Sequence, residues 1–319
     1  MNPGIRSIAA FTRGYFGFLE QQGVRSAVLH GGEDGFERKL SDVDLVVDSA
    51  GYKRIGHLTR KYCESSGWLL CQILQHETTA SYLVCCDSSD PGQAVALDVC
   101  SDYQRNGTAF LTADQLLENR VRLTWGGFGL KPDTELMYRF AKSAAKGKDP
   151  KASHEEFSNY PESAKAGCAH WLADRFGISI NDWTEEQVAT SLAALQSRCR
   201  HRPPLSQPRS LKRVVSRMCQ PTGMVVVTGA ERFKSTAVEL QPIFDGLFFR
   251  RYREVSSWHA TLANDLLIST LIVVPHLPFP WRNLIPGSAQ FHVSGSGSQD
   301  PISVALAARL AVRCARWHP

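Results

Sequence analysis

Cys-x-x-Cys pairs are absent from these 319 residues, although cysteine itself is not scarce. The nine cysteines stand at 63, 71, 85, 86, 100, 168, 199, 219 and 314, with no histidine at finger spacing. Structural zinc needs four ligands at short fixed spacings, so that class is excluded. An odd, scattered set makes no disulfide framework either and reads as reduced thiols in a cytosol. No Gly-x-Ser-x-Gly elbow supports Ser/His/Asp hydrolysis. His76, His154, His170, His201, His259 and His276 form no i, i+4 ligand pair. Long apolar runs are missing: Asp265 to Pro280 is interrupted by Ser269 and Thr270 and is too mixed to span a bilayer. Arg13 and Glu20 break the apolar N-terminal residues, so no signal peptide is expected and the chain reads as cytoplasmic.

What is present describes an ordinary globular protein, 43% hydrophobic and 21% charged, long enough for two cores. A net charge of +5 permits phosphate-rich ligands without demanding nucleic acid. The basic clusters Arg198 to Arg213 and Arg250 to Arg253 read as a linker and a solvated helix face rather than a polyanion groove.

Along the chain, Pro3 to Gln22 reads as an amphipathic helix stopped by Gly23. A strand, Ser26 to His30, runs into Gly31-Gly32 and a polar loop, Glu33 to Ser41. A second strand begins at Asp42, and Gly51 to Ser66 is helical. Strands follow at Trp68 to Leu74, Ser81 to Cys86 and Ala94 to Val99, then a Thr-capped helix, Thr112 to Arg120. Trp125-Gly-Gly-Phe128 reads as a turn with packed aromatics. This order predicts a mixed α/β sheet. Helical patterns dominate from Pro132 to Ser197, broken at Pro161, and a proline-rich linker occupies 201–210. Beyond it come a short basic helix from Leu211, a strand from Gly223 to Thr228, a helix from Ser235, a strand at Leu271 to Val274 and a last helix from Pro301.

Three acids stand out. Asp42 and Asp44 are two apart on one strand, so their side chains share a face. Asp98 interrupts the apolar run Val95 to Val99, where a buried carboxylate is costly unless paired or bound to metal. Oxygen donors of this kind suit Mg²⁺. Gly31-Gly32 at a strand end offers backbone N–H groups to a triphosphate. Replacing Asp42 or Asp44 by Asn should relieve like-charge repulsion and raise stability slightly without metal.

Gly31-Gly32, the polar loop, Ser41-Asp42-Val43-Asp44-Leu45 and then Asp98 resemble the signature of the polymerase-beta-type nucleotidyltransferase superfamily, shared with aminoglycoside nucleotidyltransferases. The resemblance implies two Mg²⁺ ions, or Mn²⁺, on Asp42, Asp44 and Asp98, with Asp98 also helping to deprotonate an acceptor hydroxyl. It implies a nucleoside triphosphate on Gly31, Gly32 and Ser41, with Lys142 reaching its phosphates as basic residues of the helical part do in relatives; Lys142, Lys146 and Lys148 by themselves read more simply as a solvated lysine face. Asp102 and Tyr103 are candidates for lining the acceptor pocket. His30 could touch a phosphate but reads more simply as an exposed strand end.

Nearly the whole chain is similar to a bacterial group from polysaccharide gene clusters. There a nucleotidyltransferase domain precedes helices and a thymidylate-kinase-like P-loop domain. The matching phrases are Ser41 to Val47, Phe110 to Leu117, Gln220 to Val227, Phe248 to Arg251 and Leu267 to Val274. The implied units are a nucleotidyltransferase-like domain at 1–130, a helical segment at 131–200, the linker, and a degenerate P-loop α/β domain at 211–319. Of Gly-x4-Gly-Lys-[Ser/Thr], Lys234, Ser235 and Thr236 remain. Phe233 and Thr228 replace the glycines, Glu231 opposes an anion, and no acid follows Val274, so a catalytically dead pseudokinase is expected. The expected activity is transfer of a nucleoside monophosphate to a hydroxyl of a small molecule, glycan intermediate or protein. The alternatives are a non-catalytic assembly or regulatory protein of polysaccharide biosynthesis, and a nucleotidyltransferase toxin.

Overall fold

The computed structural model describes residues 7–37, 42–87, 93–105 and 108–199, and beyond them four strands. Helix α1 (Ile8–Gln21) starts where the Ser7 side chain accepts the Ala10 N–H, and it buries Phe11, Tyr15, Phe16 and Leu19. The i, i+4, i+5, i+8 spacing of these residues makes one helical stripe. After it come β1 (Ser26–Val28), β2 (Val43–Val47) and α2 (Ser49–Ser66), the last capped by Asp48 and closed by Gly67 with a positive φ. The hairpin β3 (Trp68–Glu77) and β4 (Ala80–Asp87) leads to β5 (Ala94–Cys100). A small two-stranded sheet, β6 (Tyr103–Arg105) with β7 (Thr108–Leu111), precedes α3 (Ala113–Leu117), which opens on a Thr112–Gln115 capping box. Short strands β8 (Val121–Arg122) and β9 (Phe128–Gly129) complete a seven-stranded sheet in the order β3-β4-β5-β2-β1-β9-β8.

That sheet is mixed. β2 runs parallel to β5 and antiparallel to β1, while β4 is antiparallel to both β3 and β5. Its two faces bury different sets. Val43, Leu45 and Val47 of β2, with Val95, Leu97 and Val99 of β5, share a core with α1 and α2. Val46 and Cys100 belong to a second core with α4 (Pro132–Lys146), α6 (Glu162–Phe176) and α7 (Glu185–Ser197). Helix α5 (Pro150–Ser158) adds Phe157 to it. Pro161 is the residue from which α6 starts, so the expected break falls between two helices. Because strand side chains alternate, Asp44 and Asp98 face the side that carries α4.

Further along, β10 (Val225–Gly229), β11 (Arg251–Glu254), β12 (Thr270–Val274) and β13 (Ala289–Val293) form an all-parallel sheet in the order β11-β12-β10-β13. The stretches between them are long enough for the crossovers that parallel neighbours require. The strands foreseen near Val225 and Leu271 are present; the foreseen helices from Leu211, Ser235 and Pro301, and Glu231 to Thr236, lie outside the described residues. Among the described residues no helix is long and apolar enough to cross a membrane.

Candidate active site

Register brings the acids together. β2 and β5 are parallel neighbours in which Asp44 stands opposite Asp98, and Asp42 immediately precedes β2 on the same face as Asp44. A ligand oxygen from each of Asp42, Asp44 and Asp98 lies within 4.8 Å of the others. Three carboxylates this close repel unless cations sit among them, and all-oxygen donors of this charge fit a hard divalent cation.

Part of that charge is already balanced. Lys142, on the third turn of α4, donates to Asp44 Oδ2 at 2.7 Å. His30, just past β1, places Nε2 2.7 Å from the same oxygen and 2.8 Å from Lys142 Nζ. Asp44 is only 8% exposed, and burial alone would raise its pKa. The hydrogen bond to His30 and the charge of Lys142 outweigh that, and the carboxyl is held well below the usual range. The expected relief of repulsion on removing Asp44 is therefore corrected: its loss would strand the half-buried Lys142. His30 is likewise not simply an exposed strand end. Its ring stacks on Tyr138 at 5.9 Å, and Tyr138 meets Tyr103 edge-on at 4.9 Å, forming an aromatic wall beside Asp44. Burial raises the pKa of both phenols, which stay neutral.

Asp98 has a neighbour of its own. His76 Nε2 lies 2.8 Å from Asp98 Oδ1. His76 reaches it through an irregularity: Gln75 pairs with Ser81 but Glu77 with Ala80, so β3 carries one extra residue. A bulge of this kind re-aims a side chain. A bulge leaves no period in the sequence, and His76 has no i, i+4 partner that would mark it there.

Of the other expected residues, Gly31 adopts a φ of +72° that only glycine takes readily, directly after His30. Gly32 is packed so that a Cβ would meet Val28 at 2.9 Å. Ser41 lies outside the described residues. Lys146 is exposed at the end of α4, and Lys148 pairs with Glu156 at 3.7 Å. Asp102 Oδ1 accepts the Ala113 N–H at 2.8 Å, beside the Thr112 cap of α3.

No family model matches the chain, and no curated protein matches it. Among solved structures it is similar to the antibiotic-resistance factor ANT(2'')-Ia. The identity is 13%, over 60% of this chain and 91% of that one, with a TM-score of 0.31. A likeness that loose carries no argument about the reaction.

Proposed function

We propose that residues of the first sheet form a nucleotidyltransferase site, transferring a nucleoside monophosphate from a nucleoside triphosphate to a hydroxyl acceptor. The observation that carries this is the convergence of Asp42, Asp44 and Asp98 from two adjacent parallel strands. Divalent cations bound there, Mg²⁺ or Mn²⁺, would supply charge stabilisation at the reacting phosphorus. The remaining work belongs to the chain. Asp98, oriented by His76, accepts the proton of the acceptor hydroxyl. The acceptor oxygen then bonds to the α-phosphorus, and the bond to the departing pyrophosphate breaks. Gly31 and Gly32 present backbone N–H groups to the phosphates, and Lys142 adds a cation beside them. Tyr103, partly exposed and backed by the buried Tyr138 ring, gives the site an apolar wall suited to a base or an acceptor ring.

The pseudokinase reading of 211–319, a cytoplasmic location and a role in polysaccharide assembly belong to the same proposal; the boundary at residue 130 divides the sequence but not the core, since Leu29 and Val46 share theirs with Leu136 and Leu172. The all-parallel second sheet is compatible with a wound α/β unit. The direct experiment is pyrophosphate release from each nucleoside triphosphate with Mg²⁺ or Mn²⁺, across a panel of sugars and sugar phosphates. Release that requires the metal and disappears in Asp42→Asn supports the reading. Absence of triphosphate binding with either ion refutes it.

A further inference from the structure

The turn that follows β1 is held from outside the site. Gly32 O accepts two hydrogen bonds, one from Gly35 N–H at 3.2 Å and one from the indole N–H of Trp125 at 2.6 Å. Between those glycines and the next strand, Phe36 takes a left-handed backbone, φ 68°, yet is 3% exposed. Its ring stacks on Phe16 at 6.0 Å and lies 5.3 Å from Trp125, which also meets Phe16 edge-on at 5.4 Å. A bulky residue at positive φ persists only where its surroundings hold it there.

Trp125 is itself carried on a turn built for it. Leu123 N–H donates to Gly127 O at 2.8 Å, and Gly126 N–H donates to Leu123 O at 3.0 Å. Gly126 has a φ of +98°, and a Cβ on Gly127 would stand 2.0 Å from the Trp125 ring, so any larger residue there would eject the indole. Of the groups assigned to the chemistry above, Trp125 bonds only to the Gly32 backbone and to none of the three acids.

We infer that Trp125 is a positioning residue for the Gly31–Gly32 turn, fixing the backbone that receives the triphosphate. The inference rests on the nucleotidyltransferase reading. Its physical basis is the rigid peptide plane: holding the Gly32 carbonyl on the indole fixes the Gly32–Glu33 peptide unit, and so removes the Gly32 backbone freedom that would otherwise let the neighbouring Gly31 and Gly32 N–H groups swing. Gly31 and Gly35 both have positive φ, and a turn rich in glycine is entropically costly to order at the moment of binding. The indole supplies that order beforehand.

The test uses the full chain and two probes, ATP with Mg²⁺ and inorganic tripolyphosphate with Mg²⁺, by titration calorimetry. Trp125→Phe keeps an aromatic ring between Phe16 and Phe36 and removes the N–H. It should weaken both probes about five- to tenfold, the worth of one hydrogen bond, and leave the affinity for Mg²⁺ alone unchanged. Gly127→Ala, which displaces an intact indole, should show the same split. Unchanged probe affinity in Trp125→Phe overturns the inference, and so do parallel losses of probe and Mg²⁺ affinity, which would mark general damage to the fold. Wild-type protein that binds neither probe refutes the nucleotidyltransferase reading and this inference together. Probe binding that Asp44→Asn abolishes and Trp125→Phe leaves intact refutes this inference alone.

Discussion

Asp42 and Asp44 are two residues apart and would share a cation, yet they place different demands on the fold. Asp44 is 8% exposed and carries Lys142 and His30 on one oxygen, whereas Asp42 is half-buried at the strand entrance. In metal-free protein Asp44→Asn should therefore cost on the order of 2 kcal/mol, because a half-buried ammonium loses its charged partner. Asp42→Asn should cost less. Thermal melting in a chelator separates the two, while both should abolish Mg²⁺-dependent triphosphate binding. The acid response carries the same signature. A carboxyl held below its ordinary range contributes stability that is complete above the unfolded value of about 3.9. That contribution is lost as the pH falls below it toward the folded value. Wild type and Asp44→Asn should thus converge in melting temperature as the pH drops below about 3.9. At Asp98 the corresponding test is His76→Ala, expected to lower kcat about tenfold with the KM for triphosphate unchanged. His76→Gln, which can still donate to Asp98, should recover part of the loss. Equal kcat in wild type and His76→Ala would remove His76 from the orientation of Asp98.

Helix α2 shows how an element can override the usual rule for a residue. Glycine inside a helix is ordinarily improved by alanine. A Cβ on Gly51, however, would lie 2.4 Å from Val24 Cγ1, where the first turn of α2 crosses the chain entering β1. Gly51→Ala should destabilise by about 1–3 kcal/mol, read as a lower denaturant midpoint. Elements with a strong period and a clear stop were legible in the sequence: α1 with its apolar stripe and Gly23, β2 and β5 with their apolar runs, α3 with its threonine cap. Strands β6, β8 and β9 were not, being two or three residues long and stabilised by pairing rather than by pattern. β3 runs past its expected end at Leu74 to Glu77, and that extension carries His76. The acids were legible because a charge inside an apolar strand is conspicuous. Lys142 was legible only as one lysine among several, since its contact with Asp44 spans 98 residues of chain. Trp125 was visible as a packed aromatic, but the carbonyl it holds was not.

At the scale of the molecule, both faces of the first sheet are covered, among the described residues, by side chains from 9–199. The segment 131–200 supplies much of one core, including Leu136, Phe140, Leu172 and Leu195, so the sheet needs those helices to stay dry. A chain cut to residues 1–199 should keep a cooperative melt and bind ATP with Mg²⁺ as the full chain does, whereas one cut at residue 130 should not fold. Calorimetry of the two fragments checks this, and a folded 1–130 fragment would contradict it.

Lys142 joins these scales, since it is the point at which α4 grips an acid of the sheet. An ion that claims Asp44 Oδ2 loosens that grip, and linkage makes the relation reciprocal: any change that draws α4 closer must make the acids hold ions less tightly. Ion affinity is then a reading of how the helical layer is seated. Substitutions in the aromatic cluster of Phe140, Phe157 and Trp183, which fixes α4 against α5 and the start of α7, would retune the site without touching a carboxylate.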